Sequence, residues 1–467
     1  MKMKLSQLTS CEKRIAEIEI KGITNDSRKV VDGYLYVNTS DVAQYDTDAI
    51  KNGAAVVFTS CKSDLENVVF TENPQRVFAE ASANWFSCPA KKLKLLGVTG
   101  TNGKTSVTYM VKAILEKAGK KVGLIGTNQN MICDRVIPSI NTTPHAFYLN
   151  ELFAQMVESE CEYVIMEVSS HSVCFGHIEL LSFESAMFTN LTQDHLDYHG
   201  TMENYYLAKK KLFSQCNCAV INADDEYGKR LIAETDCKKF TYSVKQPSDY
   251  IGKAVNTLPN RTSYELLTDS LMHIDVATGG EFTVYNSLCA IACMRSIGIS
   301  YDIIKQALDE FCGVKGRAEV VPNTKDFTVI IDYAHTPDGL KNILKTFKKC
   351  AKERLIVLFG CGGDRDKTKR SLMGEIASIY GDYVIVTSDN PRTEDPNEII
   401  ADIMKGIPDN IFTGKVITDR REAIKFALSI AQKDDIIILA GKGHETYQIL
   451  GKEKVDFDER EIVKSFL

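Results

Sequence analysis

The run Gly97-Val-Thr-Gly-Thr-Asn-Gly-Lys-Thr-Ser106 constrains this chain more than any other stretch. Ahead of it, Leu93-Lys-Leu-Leu96 reads as a short buried strand. Behind it, Val107, Met110, Val111, Ile114 and Leu115 recur at helical spacing until Gly119 ends the pattern. Strand, glycine-rich turn and helix is the context a phosphate-binding loop needs. Glycines let backbone amides close around phosphate oxygens, and the helix N-terminus adds partial positive charge. The loop residues Gly100, Thr101, Asn102, Gly103, Lys104, Thr105 and Ser106 form the predicted nucleotide cradle, with Lys104 on the outer phosphates and the Thr105 hydroxyl on Mg²⁺. The general pattern has a glycine where this chain has Val98, so Gly100 and Gly103 carry the turn.

The rest of the chain supplies what such a loop is mounted on. At 467 residues it is long enough for about three domains. Strand-like and helical runs alternate from Leu93 to about Cys312, with strands at Lys121–Gly126, Glu162–Val168, Ala186–Asn190 and Ala219–Asn222. Alternation predicts a largely parallel sheet covered by helices. Positions 249–285 are less regular and read as a short antiparallel extension. After Gly313-Val-Lys-Gly316 the alternation restarts, with strands at Thr328–Asp332, Leu355–Phe359, Tyr383–Thr387 and Ile436–Leu439 and amphipathic runs at Leu340–Phe347 and Arg421–Ile430, a second doubly wound unit. Short strand-like runs before residue 91 predict a smaller α/β unit, with Asn25-Asp-Ser-Arg-Lys29 in a loop. The expected division is 1–91, 92–314 and 315–467.

A net charge of −6 leaves no basic footprint, so no nucleic-acid partner is expected. No apolar run reaches the roughly 18 residues of a membrane span, and the first residues lack a signal-peptide core. The fourteen cysteines contain no CxxC pair and read as reduced thiols of a cytoplasmic protein.

Polar strings follow several strands. Glu167, in Met166-Glu-Val-Ser-Ser-His171, falls at a strand's carboxyl end, where open α/β sheets bind ligands. It suits a magnesium ligand or, more plainly, a helix cap. Asp194-His-Leu-Asp-Tyr-His199 packs two acids and two histidines together, His195 being the candidate metal ligand. Asp332-Tyr-Ala-His-Thr-Pro337, Gly360-Cys-Gly-Gly-Asp-Arg-Asp366, Asp389-Asn-Pro-Arg392 and Gly441-Lys-Gly-His-Glu445 make a candidate substrate rim on the last sheet.

Together with Asn141-Thr-Thr-Pro144, these strings resemble the Mur ligases, ATP-dependent amide-forming enzymes of peptidoglycan precursor synthesis, from about Asn25 to Arg460. The resemblance implies a three-domain α/β architecture, with a phosphate-loop parallel-sheet central domain and a Rossmann-like C-terminal domain. The first domain would hold a uridine nucleotide, the second ATP, and the third the incoming amino acid. By the same resemblance Lys104, Glu167, His195 and Lys209 are catalytic, and Asn286, Arg317, Asp332 and His335 contact the nucleotide. Thr105, Glu167, His195 and Lys209 hold Mg²⁺, two ions in all, after Lys209 has taken up CO₂ as a carbamate. On its residues alone, Leu207-Ala-Lys-Lys-Lys-Leu-Phe213 is a solvated helix face.

For the UDP-linked substrate the resemblance implies Ser27, Thr142, Thr143, Ser169 and position 177, and for the amino acid Arg365, Asp389, Asn390, Pro391, Arg392, Gly441 and Glu445. Asp-Asn-Pro-Arg is the form found where the amino acid is meso-diaminopimelate, whose extra carboxylate a guanidinium pairs with bidentately. Addition to the D-Glu γ-carboxyl of UDP-MurNAc-L-Ala-D-Glu, through an acyl phosphate and by a monomeric enzyme, is the implied reaction. A relative joining L-lysine or another amine, and a non-catalytic nucleotide-binding regulator, are the alternatives. Two departures bear on the uridine side. His177 stands where the family has arginine, and Asn38-Thr-Ser-Asp-Val-Ala-Gln-Tyr-Asp46 replaces a longer Gly-rich stretch.

Overall fold

A computed structural model describes residues 2–408, 410 and 412–467. Three α/β sheets follow one another along the chain. The first has four parallel strands in sequence order, Gly22–Thr24, Tyr34–Val37, Ala54–Thr59 and Val68–Phe70. Its core packs Leu35, Val37, Val56 and Phe58 against Phe78 and Trp85 of the helix Pro74–Trp85. The segment Ser27–Lys29, expected as loop, is a single 3₁₀ turn started by the Asp26 carboxylate, which accepts from the Arg28 amide. A side-chain cap at one residue is enough to wind so short a turn.

The central sheet has eleven strands. Its parallel heart runs Val122–Ile125, Tyr163–Glu167, Lys94–Thr99, Phe183–Phe188, Cys218–Asn222 and Lys238–Ser243 in spatial order. Helices cover both faces, so these strands carry continuous rather than alternating apolar residues. Leu96, Val98, Met187 and Val220 meet the helices Lys104–Lys117 and Glu281–Ser296 on one face. Leu95, Met166 and Phe188 meet the helix Ala146–Glu158 on the other.

The extension expected over 249–285 is there only in part. Tyr250–Leu258, Arg261–Leu267 and Leu271–Val276 form an antiparallel meander, but Glu281 onward is helix. That helix buries residues on every side, Val284, Leu288, Ile291 and Met294 among them, so it has no polar stripe to give its period away.

The last sheet is ordered Glu319–Val321, Thr328–Asp332, Ile436–Ala440, Leu355–Phe359, Tyr383–Val386 and Gly414–Val416, parallel except for the first strand. The two outer strands were absent from the sequence reading because each is short and half polar, as edge strands tend to be. Parallel pairing has one functional consequence. The loops after Asp332, Phe359, Val386 and Ala440 all leave the same edge of this sheet. The loops after Thr99, Glu167 and Phe188 do the same in the central one. Among the described residues no helix is long and apolar enough to cross a membrane, and all fourteen cysteines are free thiols.

Candidate active site

Val98 lies inside the strand Lys94–Thr99, fully buried, so the turn begins only at Gly100. Gly100 (φ +149°) and Gly103 (φ +88°) take left-handed conformations, and a Cβ at either would strike Thr189 Oγ1 or Asn286 Oδ1. The loop therefore closes against two other segments. Asn190 holds its crest: Oδ1 accepts from the Asn102 amide at 3.0 Å, and Nδ2 donates to the Asn102 carbonyl at 3.2 Å. The Lys104 ammonium lies back over the loop, donating to the Gly100 and Thr101 carbonyls at 2.8 Å each.

Around this loop is a cavity of about 720 Å³. Thr101 to Ser106, Thr142, Glu167, Ser169, His195 and Asn286 line it from the central sheet. Arg317, Asp332 and His335 line it from the last one. Arg317 reaches across to donate to Thr105 Oγ1 at 3.1 Å. Asp332 accepts from the Ala318 and Ala334 amides at 2.7 and 2.8 Å, which sets the paths of the two chain segments carrying Arg317 and His335. Burial raises the Asp332 carboxyl above its ordinary range.

Glu167 is buried at the end of its strand and accepts from the Thr127 amide (2.9 Å) and hydroxyl (3.0 Å). Its carboxylate thus has a fixed orientation, and the cap reading gives way to a side chain aimed at the cavity. Thr105, Glu167 and His195 share that cavity, although among the described residues no three His, Cys, Asp or Glu side chains form a ready metal cage. Any cation held here needs oxygen from elsewhere.

Lys209 does not line the cavity. Its helix, Met202–Lys210, buries it behind the phosphate loop, where Nζ donates to the Gly100 carbonyl at 2.9 Å and sits 4.6 Å from the Tyr205 ring. The solvated-face reading of the three lysines therefore fails at this position. Burial, with the Lys104 charge adding to it, holds the Lys209 amine well below the ordinary lysine range.

On the last sheet, Asp389, Asn390 and Glu445 come together around a residue that the sequence reading left unassigned. Lys442 is fully buried, its Nζ donating to Asp389 Oδ1 (3.3 Å), Asn390 Oδ1 (3.0 Å) and Glu445 Oε2 (3.1 Å). Its only signal in the sequence was its place inside Gly-Lys-Gly-His-Glu. Asn390 Nδ2 also donates to Glu445 at 2.9 Å. Gly441 (φ +115°) turns the chain beside the Asp389 carboxylate. Pro391 packs against Gly363 so closely that a Cβ there would strike its carbonyl. Arg392 Nη1 donates to the Gly363 carbonyl at 2.7 Å, and Arg365 is exposed on the same loop. These residues form a second cluster, none of them lining the 720 Å³ cavity.

The residues expected on the uridine side are less united. Thr142 and Ser169 line the large cavity, and Thr143 is buried, bridging the Glu167 carbonyl and the Ser169 amide. Ser27 is buried and lines neither cavity, its carbonyl accepting from Asn52. His177 also lines neither. Its Nδ1 is 3.1 Å from the Thr143 carbonyl, and burial lowers its pKa, so its contact is with the Thr143 backbone and not with an open site. A cavity of about 530 Å³ lies nearby, between Asn25, Asp26 and Lys29 of the first sheet and Asn141, Pro144 and His145 of the central unit. The shortened segment ahead of it is fastened by Asn38 Nδ2 donating to Asp46 Oδ1 at 2.7 Å.

Comparisons with known proteins agree with this layout. The model of the Mur ligase middle domain matches residues 98–294, and that of the Mur ligase glutamate ligase domain matches residues 316–443. The chain is 48% identical to the UDP-N-acetylmuramoyl-L-alanyl-D-glutamate–2,6-diaminopimelate ligase of Caldanaerobacter subterraneus subsp. tengcongensis, over 96% of this chain and 95% of that one. It is 45% identical to such a ligase, numbered 1, from Clostridium acetobutylicum, with the same coverage. A solved structure of a ligase of that name superposes with a TM-score of 0.73 at 31% identity, covering 100% of this chain and 99% of the other. A phosphate loop, a cavity shared by two sheets and matches of this length lead to one conclusion: the chain belongs to the Mur ligase family.

Proposed function

We propose that this chain is the ATP-dependent ligase that joins meso-diaminopimelate to the D-Glu γ-carboxyl of UDP-MurNAc-L-Ala-D-Glu in peptidoglycan precursor synthesis. The observation that carries the reading is the pairing of a phosphate-loop cavity, lined from two sheets, with the Asp389–Arg392 and Glu445 cluster on the second of them. A nucleotide site alone would serve a kinase. An ordered acid, amide and guanidinium cluster on the last sheet supplies what a second, zwitterionic substrate needs.

In this reading residues 1–91 hold the uridine nucleotide, 92–314 ATP and 315–467 the amino acid, and the enzyme is a cytoplasmic monomer. Ser27, Thr142, Thr143, Ser169 and His177 serve the UDP-linked substrate. His177 does so by keeping the Thr143 turn in place. Lys104 moves from its own loop carbonyls onto the transferring phosphoryl group as the substrate carboxylate attacks the γ-phosphorus of ATP. Arg317 and His335 approach from the last sheet, so the two units must close before chemistry. The incoming amine then attacks the acyl phosphate, and phosphate leaves from the tetrahedral adduct. Asp389 and Glu445 orient the ammonium end of diaminopimelate, and Arg365 and Arg392 its carboxylates.

Thr105, Glu167, His195 and a carbamate on Lys209 would hold the two magnesium ions. Magnesium, when bound, neutralises phosphoryl oxygens during transfer. Lys209 suits that modification because a neutral amine is the form that adds to CO₂, forming the N–C bond and releasing a proton. Its burial without a carboxylate partner favours neutrality. The carbamate would also supply the oxygen that Glu167 and His195 lack between them.

The test is phosphate release from ATP in the presence of UDP-MurNAc-L-Ala-D-Glu, with meso-diaminopimelate, L-lysine or no amine. Stimulation by diaminopimelate alone is expected. Stimulation by lysine overturns the amino-acid assignment, and release without any amine overturns the ligase reading.

A further inference from the structure

The helix Pro337–Cys350 of the last sheet begins beside the phosphate loop, and its first turn carries an acid that the mechanism above does not use. An aspartate there is stabilised by the helix dipole and needs no other reason to exist. Asp338, however, directs one oxygen at two donors from the central unit. Oδ2 accepts from Asn102 Nδ2 at 3.0 Å and from Thr192 Oγ1 at 2.6 Å, with Asn342 of its own helix as a third donor at 3.0 Å.

Both outside partners belong to loops that the proposed reaction uses. Asn102 is the crest of the phosphate loop. Thr192 precedes Asp194 and His195, and its amide accepts no freedom of its own: it donates to Thr101 Oγ1 at 3.0 Å. Thr101 Oγ1 lies 3.3 Å from the Tyr205 hydroxyl, and the Tyr205 ring lies under Lys209. A continuous set of contacts therefore runs from the last sheet, through the phosphate loop and the His195 loop, to the Lys209 amine.

We propose that Asp338 is a positioning residue that latches the closed arrangement of the last and central units and, in closing, fixes Asn102 and Thr192 in the geometry the phosphoryl transfer requires. Closure by rotation of the last unit makes or breaks both contacts at once. Asn102 without Asp338 keeps only the Asn190 clamp on its backbone, and its side chain is released.

The test compares Asp338→Ala and Asp338→Asn with the parent chain by small-angle scattering, with and without the β,γ-imido analogue of ATP and Mg²⁺, and by steady-state kinetics. The parent is expected to contract on binding the analogue. Asp338→Ala is expected to lose that contraction and to fall about tenfold or more in kcat, the lower part of the usual range for coupling between sites. KM for ATP should move less than about threefold on the same argument, because the latch acts on closure after binding. Asp338→Asn retains an acceptor oxygen and should recover part of both losses. The thermal midpoint of the free protein should be unchanged, since the contacts join units and do not build either core. A full contraction in Asp338→Ala, or a parent that does not contract, overturns the latch; so does a kcat loss matched by a fall in midpoint. The kcat arm rests on the ligase reading, but the scattering arm uses the ATP analogue alone and stands if the acceptor or amine proves to be different.

Discussion

Lys209, at the end of the helix Met202–Lys210, and Lys442, just past the strand Ile436–Ala440, are both essentially fully buried, and they live in opposite electrostatic settings. Lys442 donates to two carboxylates and an amide oxygen, so its charge is paired on every side. Lys209 has one carbonyl and one aromatic face and no carboxylate bonded to it; burial and the Lys104 charge outweigh the opposing pull of Asp194. An ion pair withdrawn from water holds two loops in register as long as every partner stays. An amine withdrawn from water without a counter-charge loses its proton and becomes a nucleophile. The same residue type is therefore paired on every side in one place and left without a bonded carboxylate in the other, and burial alone does not distinguish them. The partners do.

This contrast is sharpest where each lysine is removed. Lys209→Ala should abolish turnover, with losses of about a thousandfold or more, the scale of removing a transition-state charge stabiliser. Added bicarbonate should not restore it, and folding should be intact by circular dichroism. Substantial activity in this variant would end the carbamate proposal.

Lys442→Met should act first on stability, costing about 3–5 kcal/mol of unfolding free energy in urea because the buried Asp389 and the half-buried Glu445 lose their counter-charge. An unchanged urea midpoint would mean that the two carboxylates are held by something other than Lys442. Arg392→Ala breaks neither lysine's surroundings and tests the function of the paired cluster. The KM for diaminopimelate should rise about ten- to a hundredfold, the equivalent of one or two hydrogen bonds to a charged group, with the KM for ATP nearly constant. Equal changes in both constants would detach Arg392 from amino-acid recognition.

The smallest expected effect concerns a histidine that is half-buried at the rim of the 530 Å³ cavity. Burial pushes His145 down to about 4, with the neighbouring His177 contributing in the same direction. Below about pH 6.5 the unfolded chain takes up a proton that the folded chain refuses until about pH 4, so its share of stability is present above 6.5 and is lost as pH falls toward 4. Urea midpoints should drop between pH 7 and pH 5, and His145→Gln should drop less. An identical pH slope in that variant would assign the effect to other groups.

Much of this was legible before any coordinates. The phosphate loop is a local object: its glycines are required by backbone angles within the turn, and the helix behind it repeats its apolar residues every turn. The strands Lys94–Thr99, Tyr163–Glu167 and Ile436–Ala440 stand out because burial on both faces makes them continuously apolar. Glu167, His195, Asp389 and Glu445 were recognisable because each follows such a strand, where parallel sheets collect ligand-binding loops.

The tertiary structure decided what those residues touch. Asn102 and Asp338 are 236 positions apart, and Lys442 and Asp389 are 53 apart. No period or capping rule reaches across such separations. Strand order and parallel register bring those loops to one edge, and only then does a charge acquire or lack a partner. The chain alone marks the strongly periodic or doubly buried elements and the polar strings that follow them, because those depend on neighbours within a turn or a strand; the edge strands and the all-round buried helix Glu281–Ser296 carry no such mark. Which side chains face Lys209, Lys442, His177 and Asp338 was decided by packing, because desolvation and pairing are properties of the assembled sheets.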